Sequence, residues 1–84
     1  MTFNIQIQER AIKSLKKIHE PNKTYIKNAL DRLENFSPEM SNVKSLQGEY
    51  KGFYRLRVGD YRILFNLTDN TIEILDIFTR QTGY

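Results

Sequence analysis

The sequence contains no cysteine, so neither a disulfide nor a thiolate contributes to its stability or chemistry, and the chain suits a reducing cytosol. Its one histidine, His19, stands at the break between two helical patterns. That is the position of a surface or capping residue, and it leaves no serine with a histidine base. No glycine-rich phosphate loop is present. No His, Cys or carboxylate groups recur at metal-ligand spacing, so neither a metal nor a cofactor is expected. The first residues, MTFNIQIQER, lack the apolar run of a signal peptide, and nothing approaches the roughly 20 apolar residues that span a bilayer. Repeats, low-complexity tracts and linkers are missing too. These exclusions leave one small domain over residues 1–84, cytoplasmic, with no membrane association and a core of modest size.

With 39% hydrophobic and 12% aromatic residues, the chain has the composition of a globular protein. A net charge of +3 is a mild pointer to a polyanionic partner. The distribution says more. Residues 1–43 mix seven basic with five acidic groups, whereas Lys44 to Arg62 holds five basic groups against two acidic ones.

Phe3, Ile5 and Ile7 alternate with polar residues as in a half-buried strand. From Glu9 to Ile18 the spacing turns helical, with Ala11, Leu15 and Ile18 on one stripe and Ile12 beside it. Pro21 ends that pattern and opens a second helix reaching Leu33, whose apolar stripe is Ile26, Ala29, Leu30 and Leu33, with Tyr25 at its edge. Phe36-Ser37-Pro38 closes it. The segment to Gln47 reads as a connection anchored by Val43 and Leu46. Ile72 to Phe78, IEILDIF, is apolar at nearly every position, as expected of a central strand covered on both faces. The order is β-α-α-β-β-β, an α+β fold in which a two-helix hairpin packs on one face of a small, mainly antiparallel sheet.

The most informative stretch is Tyr50 to Phe65, YKGFYRLRVGDYRILF. A two-residue Gly59-Asp60 loop between alternating runs predicts a β-hairpin. Val58 then faces Tyr61, Arg57 faces Arg62, and Leu56 faces Ile63. One face carries Tyr54, Leu56, Val58, Tyr61, Ile63 and Phe65. The other carries Arg55, Arg57 and Arg62. Two arginines directly opposite repel, at a cost of a few tenths to about 1 kcal/mol. The ordinary fate of such residues is a solvated sheet face, but three guanidinium groups clustered there also make a phosphate site, because each is planar, permanently charged and forked. Lys51, at the entrance to the hairpin, and Lys44, in the same basic stretch, are the expected further phosphate-binding residues. The position of Arg80 depends on register. A two-residue loop at Asp69-Asn70 sets Arg62 against Ile77 and sends Arg80 to the helix-covered side; a longer loop or a late bulge brings it to the other arginines. Tyr84 is either a stacking or proton-transferring group or a frayed end.

The segments KSLQGEYKG, YRLRVGDYRILF and the terminal TRQTGY, together with the element order, resemble the RelE/ParE superfamily of bacterial toxins. GDYR is the most specific part, and the helices are generic. The resemblance implies the toxin of a type II toxin–antitoxin system, forming a hetero-oligomer with its antitoxin. On its RelE branch it implies a ribosome-dependent endoribonuclease that cuts mRNA by 2′-OH attack. It then assigns Arg62 the central role, aligns Arg55 and Arg57 with basic positions of the preceding strand, and aligns Arg80 and Tyr84 with the C-terminal arginine and tyrosine. Arginines stand where lysines are common in that branch, and the histidine of some relatives near the end is missing. That leaves the general base open, with Glu49 the nearest carboxylate. The alternatives are a ParE-type inhibitor of DNA gyrase, a non-catalytic RNA-binding module, and a degenerate toxin that only holds its antitoxin.

Overall fold

The computed structural model describes residues 2–81. Tyr84, a candidate site residue, lies outside the described residues. The elements are β1 (Asn4–Ile7), α1 (Glu9–Lys16), α2 (Asn22–Arg32), a 3-10 turn (Leu33–Asn35), β2 (Val43–Ser45), a second 3-10 turn (Gly48–Tyr50), β3 (Phe53–Val58), β4 (Tyr61–Thr68) and β5 (Thr71–Thr79). The strands form one sheet in the order β1-β5-β4-β3-β2, antiparallel except where β1 runs parallel to β5. The expected order stands, with one addition. The connection after α2 contains β2, a three-residue edge strand too short to show periodicity.

The hairpin register is the one the sequence implies, with Val58 opposite Tyr61, Arg57 opposite Arg62 and Leu56 opposite Ile63. Gly59 opens the loop at φ 59°, a left-handed conformation that costs glycine nothing. The second hairpin loop is also two residues, Asp69-Asn70, since Thr68 pairs with Thr71.

Both helices cover one sheet face. On that face Val43, Leu56, Ile63 and Ile77 line up across β2, β3, β4 and β5. Ala11, Ile18, Ile26, Ala29, Leu30 and Leu33 pack onto the strand residues in a single buried cluster. Phe36, just after α2, plugs one end of it. Its ring meets Tyr54 and Phe65 edge-on at centroid distances of 5.1 and 5.5 Å, and Tyr54 stacks on Phe65 at 5.5 Å. Such aromatic pairs add about 0.5–1.5 kcal/mol each beyond area burial. Because the helices take one face only, the alternate residues of β3 and β4 lie on the open face.

Candidate functional site

The open face is organised in rows that cross the strands. In one, Lys44 of β2 stands opposite Arg55 of β3, which stands opposite Leu64 of β4. In the next, Arg57 stands opposite Arg62, which stands opposite Phe78 of β5. Two like-charge pairs therefore sit side by side, Lys44–Arg55 and Arg57–Arg62. Only the second follows from the hairpin; the first exists because β2 joins the edge. Between the rows lies a depression of about 310 Å³ lined by Asn42, Val43, Lys44, Arg55, Arg57 and Arg62. None of these residues is acidic.

Arg62 is at the centre of the group. Its Nη1 donates to the carbonyl oxygens of Gly59 at 3.0 Å and Tyr61 at 2.9 Å. The turn thus fixes the guanidinium through one nitrogen and leaves its Nε–Nη2 edge for a ligand. Desolvation holds this guanidinium below the ordinary arginine value, and repulsion from Arg55, Arg57 and Arg80 adds to it, with Asp60 opposing. Arginine nonetheless stays charged throughout the physiological range. The shift reflects partial desolvation and crowding by like charges, not a proton available for transfer.

Arg57 is held from the side. Its backbone N–H donates to the carbonyl of Asn42 at 2.9 Å, and its Nη2 donates to Asn42 Oδ1 at 3.2 Å. Asn42 adopts φ 71°, a conformation asparagine tolerates better than most residues. Sequence reasoning passed over Asn42; an Asn ahead of a short polar-apolar run was the available signal.

Arg80 joins the cluster through a bulge. Leu64 pairs with Asp76, but Phe65 pairs with Ile74, so Leu75 is an extra residue in β5. Arg62 therefore faces Phe78, not Ile77 as an unbulged two-residue loop would give. From that point the pleat is reversed, and Arg80 falls on the side of Arg62. The backbone N–H of Arg80 donates to the Asp60 carbonyl at 2.8 Å, closing the sheet beside the hairpin turn.

Asp76, also missed in the sequence, secures the bulge. It is only 6% exposed. Its Oδ1 accepts from the backbone N–H of Ile77 at 2.9 Å and from Ser14 Oγ at 3.5 Å, while Oδ2 lies 3.4 Å from Arg10 Nε. A buried carboxylate needs such partners, and two of these come from α1. By contrast, Lys51 and Glu49, at the 3-10 turn before β3, are exposed and do not line the depression.

Comparisons with known proteins bear on the fold and the family of the chain. A model of the ParE toxin of the type II toxin–antitoxin system, parDE, matches residues 5–84. A putative toxin RelE1 from Methanocaldococcus jannaschii is 30% identical, covering 99% of this chain and 94% of that protein. The RelE–RelB complex from Pyrococcus horikoshii OT3 contains a chain with a TM-score of 0.77 and 29% identity, covering 99% of this chain and all of that one. The toxin–antitoxin complex RelBE2 from Mycobacterium tuberculosis superposes with a TM-score of 0.80 over 95% of this chain and 93% of that one; at 23% identity it speaks for the fold alone.

Proposed function

The chain belongs to the ParE toxin family of type II toxin–antitoxin systems, as a RelE-like member of the RelE/ParE superfamily, and from that membership we propose that it is a ribosome-dependent endoribonuclease acting on mRNA in the cytoplasm. The observation that carries this reading is the gathering of Lys44, Arg55, Arg57, Arg62 and Arg80 on the open sheet face, with the Arg62 fork fixed at its centre.

Cleavage by attack of a 2′-OH on the adjacent phosphorus forms one P–O bond and breaks the P–O bond to the 5′-oxygen. The pentacoordinate state between them carries extra negative charge on its equatorial oxygens. Preorganised guanidinium donors stabilise that charge more than they stabilise the ground-state diester. Here Arg62 receives the phosphorane oxygens, with Arg55 and Arg57 on one side and Arg80 on the other. Mutual repulsion among these cations is relieved as negative charge develops between them. Protons must leave the 2′-OH and reach the departing 5′-oxygen. Among the described residues no carboxylate lines the depression, so Tyr84 and Glu49 are the residues to test, together with groups the ribosome contributes. An enzyme with few groups of its own depends on substrate positioning, which is what a ribosome supplies.

The same membership supports a cognate antitoxin as protein partner. The relative of known structure from P. horikoshii, 29% identical, is a toxin–antitoxin complex. A second reading, binding to DNA gyrase without RNA cleavage, is favoured by the ParE description of the matching family model.

One substitution separates the two. In a translating extract, primer extension on mRNA shows discrete cuts with the native chain. Arg62→Ala lowers their rate by about 10²–10³, the worth of one preorganised donor, while antitoxin binding persists. Intact mRNA with the native chain, alongside arrested supercoiling by gyrase, transfers the assignment to the second reading.

A further inference from the structure

A second depression, of about 320 Å³, adjoins the cationic one and shares Asn42 and Arg57 with it. Its other wall is a stripe of α2. Asn22, Tyr25, Asn28 and Arg32 follow one another at steps of three, three and four residues, so they run along one side of the helix. All four line the depression. They are not the core face, which is Ile26, Ala29 and Leu30.

The composition of this wall is unusual for a solvated helix side. Among the described residues, Tyr25 is the most exposed large hydrophobic side chain, at 55%. Around it stand the carboxamides of Asn22, Asn28 and Asn42 and the guanidinium groups of Arg32 and Arg57, with no carboxylate in the lining. A flat aromatic face, paired donor–acceptor amides and flanking cations are the set that binds an unstacked base. The ring stacks, the amides read a base edge, and arginine takes the phosphate or stacks in turn. The depression also has the right address. Arg57 borders both hollows, so a strand whose phosphate sits against Arg57 and Arg62 has this hollow next along its path.

We propose that this hollow is a base-recognition subsite, in which Tyr25 stacks a nucleobase of single-stranded RNA next to the cleaved phosphate and Asn22 and Asn28 read its edge. The inference rests on RNA being the ligand of the arginine face, but it does not need that face to cleave.

The test uses the purified full chain and a short single-stranded RNA made uncleavable by a 2′-O-methyl group. A matched RNA lacks the base at the nucleotide beside the central phosphate. Binding is followed by fluorescence anisotropy, and contacts by the NMR signals of the Asn22 and Asn28 side-chain amides. Tyr25→Ala weakens the complete RNA about tenfold, the size of one base–aromatic contact. The variant leaves the abasic RNA unchanged, and Tyr25→Phe restores binding. Asn28→Ala weakens binding for the complete RNA only. On translating ribosomes, Tyr25→Ala spreads the cuts over more nucleotides.

Equal binding of the complete RNA by the native chain and by Tyr25→Ala overturns the proposal. So does a Tyr25→Ala defect confined to antitoxin binding, which gives the surface to a protein. If the base-dependent pattern appears but mRNA is never cut, the subsite stands and the nuclease reading falls. If the native chain cuts but neither binding nor cut positions respond to Tyr25, the subsite alone falls. Tyr25 is exposed, so an unchanged melting temperature confirms that the variant is folded.

Discussion

At the scale of single residues, the Arg57–Arg62 pair shows how a local cost becomes a function. Cross-strand like charges destabilise a sheet by about 0.2–1 kcal/mol, and the Lys44–Arg55 pair repeats the arrangement one row away. Arg62 is also held below the ordinary arginine value, first by desolvation and then by Arg55, Arg57 and Arg80. A cation whose folded value lies below its unfolded one weakens the fold at every pH below that folded value. Relief comes only as pH rises through it, far above the working range of proteins. No pH dependence from Arg62 is expected between about pH 5 and 9. The relief available in practice is an anion or a neutral side chain. Arg57→Gln therefore raises the melting temperature by about 2–4 °C at low salt, and inorganic phosphate raises that of the native chain but much less that of the variant. Scanning calorimetry at matched ionic strength checks both. Equal phosphate effects on the two proteins would show that the cluster is not the anion site. The exposed Glu20 behaves in the opposite sense. Its Oε1 accepts from the backbone N–H and hydroxyl of Thr24, and these bonds hold its carboxyl below the ordinary value of 4.5. The first turn of α2 gains from that contact above the ordinary glutamate value and loses it as pH falls through the lower folded one.

At the scale of elements, the β3–β4 hairpin was legible in the sequence and the register of β5 was not. Strict alternation around Gly59-Asp60 leaves one pairing that buries Leu56, Ile63 and Phe65 together, so arginine positions followed from pattern alone. In IEILDIF nearly every side chain is apolar, so alternation carries no parity and a bulge is invisible. The run's two acidic residues, Glu73 and Asp76, stand three apart and so fit no single alternation, and Asp76 gets its meaning from Arg10 and Ser14, far away in sequence. Lys44 was legible as a phosphate-binding candidate from the basic stretch, but its place opposite Arg55 was not, because β2 is too short to show a pattern. The bulge makes a sharp prediction. Deleting Leu75 closes the bulge but keeps Arg62 opposite Phe78 and Arg80 on its side, because the pairs on both flanks are retained; deleting Thr79 instead moves Arg80 by one position and turns it toward the helices. The Thr79 deletion should lower RNA cleavage as far as Arg80→Ala does, and combining the two should add nothing further, a thermodynamic cycle in which the effects overlap completely, while the Leu75 deletion should cost less than either. Asp76→Asn, which keeps an acceptor for the Ile77 N–H, should retain more activity than Asp76→Ala. Additive losses in the first cycle would show that the side on which Arg80 falls is not what cleavage depends on.

At the scale of the whole molecule, charge is separated along the β4–β5 hairpin. The Gly59-Asp60 end carries Arg57, Arg62 and Arg80, whereas the Asp69-Asn70 end carries a shallow hollow bordered by Asp69 and Glu73. Asp76, the acidic residue between them, is engaged by Arg10 of α1. The two ends are separated by the eight residues of β4, about 27 Å at roughly 3.4 Å per residue. That is some three Debye lengths at physiological salt, where screening acts over about 8 Å. The net charge of +3 therefore understates what a polyanion meets, because the acidic end cannot neutralise the arginine face at that distance. The consequence is measurable as a salt slope. A single strand that replaces about four counterions on this face should bind with log K falling by about 3 per unit of log salt, at about 0.7 per phosphate contact. Arg62→Ala should lower that slope by about 0.7. Tyr25→Ala should weaken binding at every salt concentration and leave the slope alone, since stacking releases no counterion. Replacing Asp69 and Glu73 by neutral amides should matter only in dilute buffer, where the Debye length approaches the length of the strand. A slope near zero for the native chain would remove the arginine face from RNA binding altogether and leave it to the acidic segment of a protein partner.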